Sequence, residues 1–136
     1  MILDKQNLFS DDQAVTVTAD STNVIDLGIA GMGKGEPVRL FAQVTTTFDG
    51  GTSLKASLVT SDSTPFSGAP SLVEPAASAA ASLLAGYAFG LGGFMPEEIK
   101  RYNKLVYTVV GTMTAGTITA GFLLDKQNWA AVPDGV

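Results

Sequence analysis

The chain has 136 residues and a formal net charge of −5 at pH 7, and it contains neither cysteine nor histidine. It therefore has no disulfide, no thiolate nucleophile or metal ligand, and no imidazole, the side chain that most often acts as a general base near neutral pH. The eight basic residues are scattered rather than gathered into a stripe that could neutralise phosphates, which argues against nucleic-acid binding. We expect a protein that is not an enzyme and binds no cofactor and no metal.

Alternation of apolar and polar residues with a period of two dominates the sequence and predicts β-strands. In chain order, the predicted strands cover residues 14–19, 23–27, 38–44, 53–58, 102–110 and 117–124, with two shorter ones around 71–73 and 87–89. Short strands with turn signals between them are typical of sandwiches. We expect an all-β, jelly-roll-like antiparallel β-sandwich with little helix, formed by one domain over residues 1–136.

Two pairs of these strands are separated by turn sequences. Asp49-Gly50-Gly51 lies between the strands at 38–44 and 53–58, and the segment 111–116 begins and ends with glycine between the last two strands. Both sequences favour tight turns. The sequence therefore predicts two β-hairpins.

Indications of helix are few. The alanine-rich residues 76–85 could form one or two turns, and Pro96-Glu97-Glu98-Ile99 resembles a helix start with proline at the first position. The segment 61–75 contains three prolines and is expected to be loop. The uncharged stretch 75–94 is too weakly hydrophobic to span a bilayer, and no signal-peptide pattern precedes it, so we expect no membrane association.

A glycine-rich segment at residues 28–35 nearly matches the phosphate-binding pattern G-x-x-x-x-G-K-[ST]. Gly35 stands where the pattern needs a hydroxyl for magnesium, and a strand rather than a helix follows it. No helix N-terminus can therefore point at a phosphate there. We interpret the segment as a loop between two strands.

Paired carboxylates occur at Asp11-Asp12 and Glu97-Glu98. Acid–base work on a glycoside needs two carboxyl groups that face each other across a cleft, whereas sequence neighbours in a turn point apart. Asp62-Ser63-Thr64 lacks the oxygen ligands of a calcium loop. We interpret the two pairs as solvated turn or helix-start charges.

Apolar residues outside the clean strand patterns are candidates for contact with another chain. They are Ile2, Leu3, Leu91, Phe94, Met95 and Trp129. For Trp129, a cap on the end of the sandwich is an equal alternative. Its neighbours Gln127 and Asn128 also make it the one cluster suited to a carbohydrate-binding or adhesion module, the alternative function.

The pentapeptide Leu-Asp-Lys-Gln-Asn occurs twice, at residues 3–7 and 124–128. The similarity stops directly after each copy, and the copies lie near opposite ends, so a tandem duplication does not explain them. Termini of single domains often lie close together. We therefore hypothesise that both ends, as arms over residues 1–9 and 126–136, take part in an interface.

The order of several segments resembles a known family. These segments are the opening ILD…SDxQAVT…STNxIDLG and the closing RYNKLxYTVxGTxTAGxITAG. They are similar to the capsid cement (decoration) proteins of tailed bacteriophages with HK97-type shells, and most of all to those of Bordetella-type short-tailed phages. The resemblance covers roughly residues 1–128.

This resemblance implies a jelly-roll-like protein that stabilises an HK97-type capsid. It would be made in the bacterial cytoplasm and would sit in the virion on the outer capsid surface. There it would bridge neighbouring subunits of the major capsid protein as a symmetric homo-oligomer, with a homodimer as the default and a trimer as the alternative. The family has no catalytic residues to carry over.

Overall fold

The computed structural model describes residues 3–30, 38–91 and 95–123. In this part of the chain nearly all regular structure is β, and helix is limited to two 3₁₀ turns of three residues each. The strands are β1 Leu8–Ala14, β2 Ala19–Asp20, β3 Ile25–Asp26, β4 Arg39–Gly50, β5 Ser53–Ser61, β6 Ser71–Val73, β7 Ser78–Ala79, β8 Tyr102–Val110 and β9 Met113–Leu123. The 3₁₀ turns are Lys5–Asn7 and Ala80–Ser82.

The strands form two antiparallel sheets. The three-stranded sheet has the order β1-β9-β4, and the six-stranded sheet has the order β2-β8-β5-β6, with β3 also pairing β8 and β7 also pairing β5. The two sheets form a sandwich. The predicted all-β antiparallel sandwich with little helix is therefore confirmed.

One long ribbon connects the two sheets. β4 pairs with β9 from Arg39 opposite Leu123 to Gly50 opposite Met113, and β5 pairs with β8 from Ser53 opposite Val110 onward. The pairing of β4–β5 with β8–β9 thus continues across both intervening turns with almost the same register. A folded antiparallel ribbon of this kind makes the sandwich jelly-roll-like.

The two predicted hairpins are wrong, although their strands exist. β4 does not pair with β5, and β8 does not pair with β9, because each intervening turn is a corner at which the chain changes sheet. Gly50, Gly51 and Gly111 have φ of +74°, +63° and +86°. A hairpin and a corner both need glycine with positive φ, so the turn sequence alone does not reveal the pairing partner.

The two corners lie against each other. A Cβ atom at Gly111 would stand 3.1 Å from the Cα atom of Gly51, and one at Gly51 would stand 2.5 Å from the sulfur of Met113. The Thr52 amide also donates a hydrogen bond to the Val110 carbonyl across the corner, with an N···O distance of 2.8 Å. Glycine is therefore required here both for backbone conformation and for close approach.

The first part of the chain differs from its prediction. Residues 14–19 are not a strand, because β1 ends at Ala14 and the chain crosses to the other sheet before β2 begins at Ala19. During the crossing Val15 is fully buried, and the Thr16 carbonyl accepts a hydrogen bond from the Met113 amide. The predicted strand at 23–27 shortens to β3.

The weaker predictions have mixed outcomes. β6 confirms the short strand at 71–73, whereas the one at 87–89 is reduced to a single bridge between Ala88 and Gln43. No α-helix forms at 76–85, where β7 and a 3₁₀ turn stand instead. Residues 96–99 form only a turn, closed by the Ile99 amide on the Pro96 carbonyl.

The inner faces of both sheets supply one main core. Its fully buried large side chains include Leu54, Leu58 and Leu105 from the six-stranded sheet and Ile118 from the three-stranded sheet. Burial of each such side chain contributes on the order of 1.5–3 kcal/mol, which makes this core the main source of stability.

The free edge of β4 is covered by the segment 83–91. The Val44 amide donates to the Tyr87 carbonyl at 2.8 Å, and the Gly86 amide donates back to the Val44 carbonyl at 2.8 Å. The Phe48 amide likewise donates to Leu83. This irregular segment therefore satisfies the backbone groups that an edge strand would otherwise expose.

We predict that Gly111→Ala destabilises the fold more than Gly28→Ala does. Both positions have positive φ, +86° and +79°, so both alanines incur the left-handed backbone cost of about 1–2 kcal/mol. Only at Gly111 does the new methyl group also meet backbone, since nothing lies within 4 Å at Gly28. Urea unfolding should show the difference; equal losses in the two variants would contradict the stacked corners.

Candidate interaction surfaces

A bulge in β1 shapes the outer face of the three-stranded sheet. Ser10 is opposite Ala120 and Gln13 is opposite Ile118. Two residues of β1, Asp11 and Asp12, therefore face the single β9 residue that lies between Ile118 and Ala120. Asp12 has φ +50°, the left-handed conformation that aspartate tolerates better than most residues. The bulge therefore interrupts the alternation of β1 and changes which way its polar side chains point.

On the outer side, the bulge holds the Asp12 carboxylate among threonine hydroxyls. Thr45 Oγ1 donates to Asp12 Oδ1 at 2.5 Å, and the hydroxyls of Thr45 and Thr117 are 2.7 Å apart. The Asp12 amide donates to Thr119 Oγ1 at 2.9 Å. Hydrogen bonds from Thr117 and then Thr45 lower the pKa of Asp12, so this exposed group carries a fixed negative charge at neutral pH.

On the inner side, the same bulge builds a hydrogen-bonded chain between the sheets. Tyr107 of β8 is fully buried, and its hydroxyl lies 2.7 Å from Ser10 Oγ, which in turn donates to Gln13 Oε1 at 2.7 Å. Gln13 Oε1 also accepts the Thr22 amide, and Gln13 Nε2 donates to the Asp20 carbonyl. Burial raises the pKa of Tyr107 to about 12. The phenol is therefore a neutral structural link.

At the far end of the same outer face, an apolar socket lies beside the start of the chain. We define the socket as Leu8, Phe41 and Leu123, which are buried together apart from the main core. Leu3 packs against it. We call Leu3–Asn7, which is the first LDKQN copy, the N-terminal hook.

Gly121 makes room for the hook. A Cβ atom at this position would stand 2.5 Å from the Asn7 carbonyl oxygen. The hook therefore crosses β9 at a distance that only glycine allows. Leu123 is also the residue directly before the second LDKQN copy, which lies outside the described residues.

Among the residues that the structure describes, four ion pairs lie on the six-stranded sheet and its loops. Arg101 binds Asp26 through two nitrogens at 2.7 and 2.9 Å, and this contact, together with the Gly28 amide, lowers the pKa of Asp26 to about 2. The others are Lys55–Glu74, Lys100–Asp62 and Lys104–Asp20. Such exposed pairs add little stability. Their main effect is to neutralise charge on this side of the molecule.

A groove of about 420 Å³ opens beside β7. Its lining is mostly small residues, with the ring of Tyr87 as the largest side chain, and the Tyr87 hydroxyl lies 2.8 Å from Ser78 Oγ. The lining residues are Pro75, Ala76, Ala77, Ser78, Ala79, Ser82, Tyr87 and Gly90. The lining of this groove therefore supplies three hydroxyls, those of Ser78, Ser82 and Tyr87, but no carboxylate and no amine.

The predicted contact residues have different positions. Leu91 is 2% exposed within the main core, so its apolar character is explained without a partner. Met95 is half-buried against that core, and Leu3 is the hook residue at the socket. Ile2, Phe94 and Trp129 lie outside the described residues, as does the cluster with Gln127 and Asn128. The interface role of these residues stays a prediction.

The sequence-based reasoning overlooked the bulge and its two hydrogen-bonded clusters. The interpretation of Asp11-Asp12 as a solvated turn is wrong, because both residues lie within β1. The signal was the polar run from Ser10 to Gln13 between apolar residues. A break of alternation inside a strand is what a bulge produces.

In the described residues, the remaining sequence motifs are not accompanied by a metal site or a membrane-spanning helix. Within residues 3–30, 38–91 and 95–123, no three acidic side chains come together as a metal site would require. In the same part of the chain, no helix has the length and apolar character to cross a bilayer. Most of the glycine-rich segment, including Lys34, lies outside the described residues.

The fold and surfaces define an antiparallel β-sandwich with a threonine-bound carboxylate, Asp12, and an apolar socket on one outer face. Comparison with family models then identifies the group to which it belongs: the model of Bbp16, a Bordetella phage protein family, matches residues 9–122, and the chain belongs to this family. No curated protein matches the chain. Membership in a phage protein family is consistent with a structural role and with a virion component.

We predict that stability falls steeply at alkaline pH because of Tyr107. Its pKa is about 12 in the folded protein, against 10.0 ordinarily. The contribution of the neutral phenol to the free energy of unfolding is therefore fully present below pH 10 and is lost as pH rises toward 12. The loss amounts to roughly 3 kcal/mol. Urea unfolding between pH 9 and 12 should show this decline in the wild type and a much smaller one in Tyr107→Phe.

The control for this experiment is Tyr102→Phe on the same strand. Tyr102 is half-exposed, and its replacement leaves the buried phenol in place, so the alkaline decline should persist. Equal declines in the wild type and Tyr107→Phe would show that this phenol does not limit alkaline stability.

We also predict that Thr117→Val raises the pKa of Asp12 toward its ordinary value, since valine cannot hydrogen-bond the carboxylate. A ¹³C NMR titration of the side-chain carboxyl groups measures it directly. Thr46→Val, at an exposed neighbouring position, is the matched control and should leave the titration unchanged. An unaltered Asp12 titration in Thr117→Val would rule out the threonine contact.

Proposed function

We propose that this protein is a capsid cement, or decoration, protein that binds the outer surface of an HK97-type phage shell and stabilises contacts between major capsid subunits. The observation that carries the proposal is the match of the Bordetella phage family model over residues 9–122, which includes almost every described strand. The resemblance of its ordered segments to capsid cement proteins points to the same role.

The architecture suits such a role. A cement protein needs a stiff body that keeps the same shape at many lattice positions. The ribbon shared by both sheets, the Tyr107–Ser10 link and the covered edge of β4 all limit deformation. Weak contacts repeated by linked copies add to firm attachment.

The charge distribution suggests how attachment could be oriented. The four ion pairs named above lie on the six-stranded sheet and its loops, whereas Asp12 on the other sheet is held by threonine hydroxyls. Favourable partners for that face are surfaces with basic or hydrogen-bonding groups. We infer that the protein works as a non-enzymatic homo-oligomer, with a dimer as the default and a trimer as the alternative.

The test uses particles of a phage that encodes this chain. We predict that purified virions contain the protein in a fixed ratio to the major capsid protein, and that image reconstruction places its density outside the shell. Shells prepared without it should disrupt at a lower temperature, and purified protein added back should bind to saturation and restore the wild-type value.

Virions that already carry the protein are the matched control, because their sites are filled and they should take up little more. Absence of the chain from purified virions, or its presence only in trace amounts, would overturn the proposed function. Binding that never saturates on the depleted shells would indicate nonspecific adsorption and would also count against it.

A further inference from the structure

The uncharged stretch that begins at Pro75 forms an exposed surface along one side of the sandwich. No charged residue occurs from Pro75 to Phe94, and the structure describes residues 75–91 of this stretch. Its first part contains β7, which pairs with β5 of the six-stranded sheet, and its last part covers the edge of β4 in the three-stranded sheet. We call the exposed side of residues 75–91 the neutral face.

Packing does not account for the lack of charge on the neutral face. Leu83, Phe89 and Leu91 are buried and anchor the segment to the main core. Most of the other residues are exposed, and apart from Leu84 the exposed ones are alanine, glycine and serine. Exposed positions of this kind could carry charged side chains without loss of packing, as protein surfaces commonly do. An exposed surface without charge shares the charge depletion found at the centre of protein interfaces.

The small side chains make the neutral face concave. The groove of about 420 Å³ lies within it and is lined by residues of 75–82 together with Tyr87 and Gly90. Alanine and glycine have no side-chain freedom to lose when they are covered. The Tyr87 ring is held by the hydrogen bond to Ser78 and by an edge-to-face contact with Phe89. The face is therefore preformed as a recess for a partner that supplies larger side chains.

The Asp12 carboxylate borders the neutral face. Gln43 and Thr47 of β4 form hydrogen bonds with the backbone of the segment that covers this strand, and Thr45, which stands between them in the sequence, donates to Asp12. An uncharged centre with a polar rim is the usual anatomy of a protein interface. The neutral face supplies the centre, and the Asp12 group supplies part of the rim.

We propose that the neutral face is the surface by which this protein docks on the capsid shell, and that its groove receives an uncharged, apolar projection of the major capsid protein. The occupant is uncharged because the lining holds no charged side chain that could neutralise it, and an unpaired buried charge is strongly unfavourable. This inference rests on the proposed function and adds to it the contact surface and the chemistry of the contact.

The shape of the neutral face also favours a different protein over a second copy as the occupant. Two copies that met symmetrically through this face would place one recess against another, because a two-fold contact pairs a patch with itself. Small side chains on both sides would leave the groove unfilled. A projection with large apolar side chains fills it.

Binding to shells that lack the protein tests this docking surface. Leu84→Lys and Ala77→Lys each place a charge on the neutral face at an exposed position, so urea unfolding should match the wild type. We expect each variant to bind at least about tenfold more weakly, since the new charge is buried without a partner. Ile29→Lys is the matched control and should bind like the wild type. Ile29 is 68% exposed and follows β3, which lies at the opposite edge of the six-stranded sheet from β7.

The outcomes distinguish this inference from the proposed function. A wild type that does not bind the depleted shells overturns both. A wild type that binds, together with Leu84→Lys and Ala77→Lys variants that bind equally well, overturns only the role of the neutral face. So does an equal loss in Ile29→Lys, because the added charge would then weaken binding wherever it stands.

A second measurement adds no charge to the neutral face. The chain has no cysteine, so Leu84→Cys and Ile29→Cys each carry a single thiol. A maleimide probe, detected on peptides of this chain, should label position 84 at least about tenfold more slowly on shells than in the free protein, and position 29 equally fast in both. Absence of protection at position 84 on the shells would contradict the proposal. Protection that appears without shells and grows with protein concentration would identify a second copy as the occupant and overturn the capsid contact.

Discussion

Two glycine corners that fit against each other determine how this chain is built. At Gly50–Gly51 and at Gly111 the chain passes from one sheet to the other, and the contact between the corners leaves no space for side chains. Because the pairing of β4 with β9 continues into that of β5 with β8, the register of one sheet sets the register of the other. A shift by one residue would turn the apolar side chains of both sheets away from the core at once.

The bulge in β1 lets polar residues occur in the strand that pairs with this ribbon along β9. A regular strand would send Ser10 and Gln13 to opposite faces, whereas the extra residue brings both to the inner hydrogen-bonded chain and leaves Asp12 outside. A buried phenol with its partner and an exposed, firmly held carboxylate thus arise from one local irregularity. The outer face of this sheet has the charge at its middle and the apolar socket at its end.

The sequence predicts the class of fold well, because alternation reports which residues face a core, and that needs only local information. It does not predict pairing: Asp49-Gly50-Gly51 favours a turn, yet whether the next strand folds back or continues into another sheet depends on β8 and β9. Leu91 shows the same limit, since an apolar residue outside a strand pattern can still enter the core. The position of Asp12 on the outer face could be predicted only if the break in alternation between Ser10 and Gln13 were interpreted as a bulge.

The long-range pairing of β4 and β5 has a consequence for synthesis on the ribosome. Their partners β8 and β9 are translated much later, so neither strand can complete its ladder while the middle of the chain is being made. Residues 83–91, which close the edge of β4, emerge before β9 does. The segment that covers one side of the longest strand is thus synthesised before the neighbour on the other side, and an edge strand that can be covered early is less open to pairing with another polypeptide.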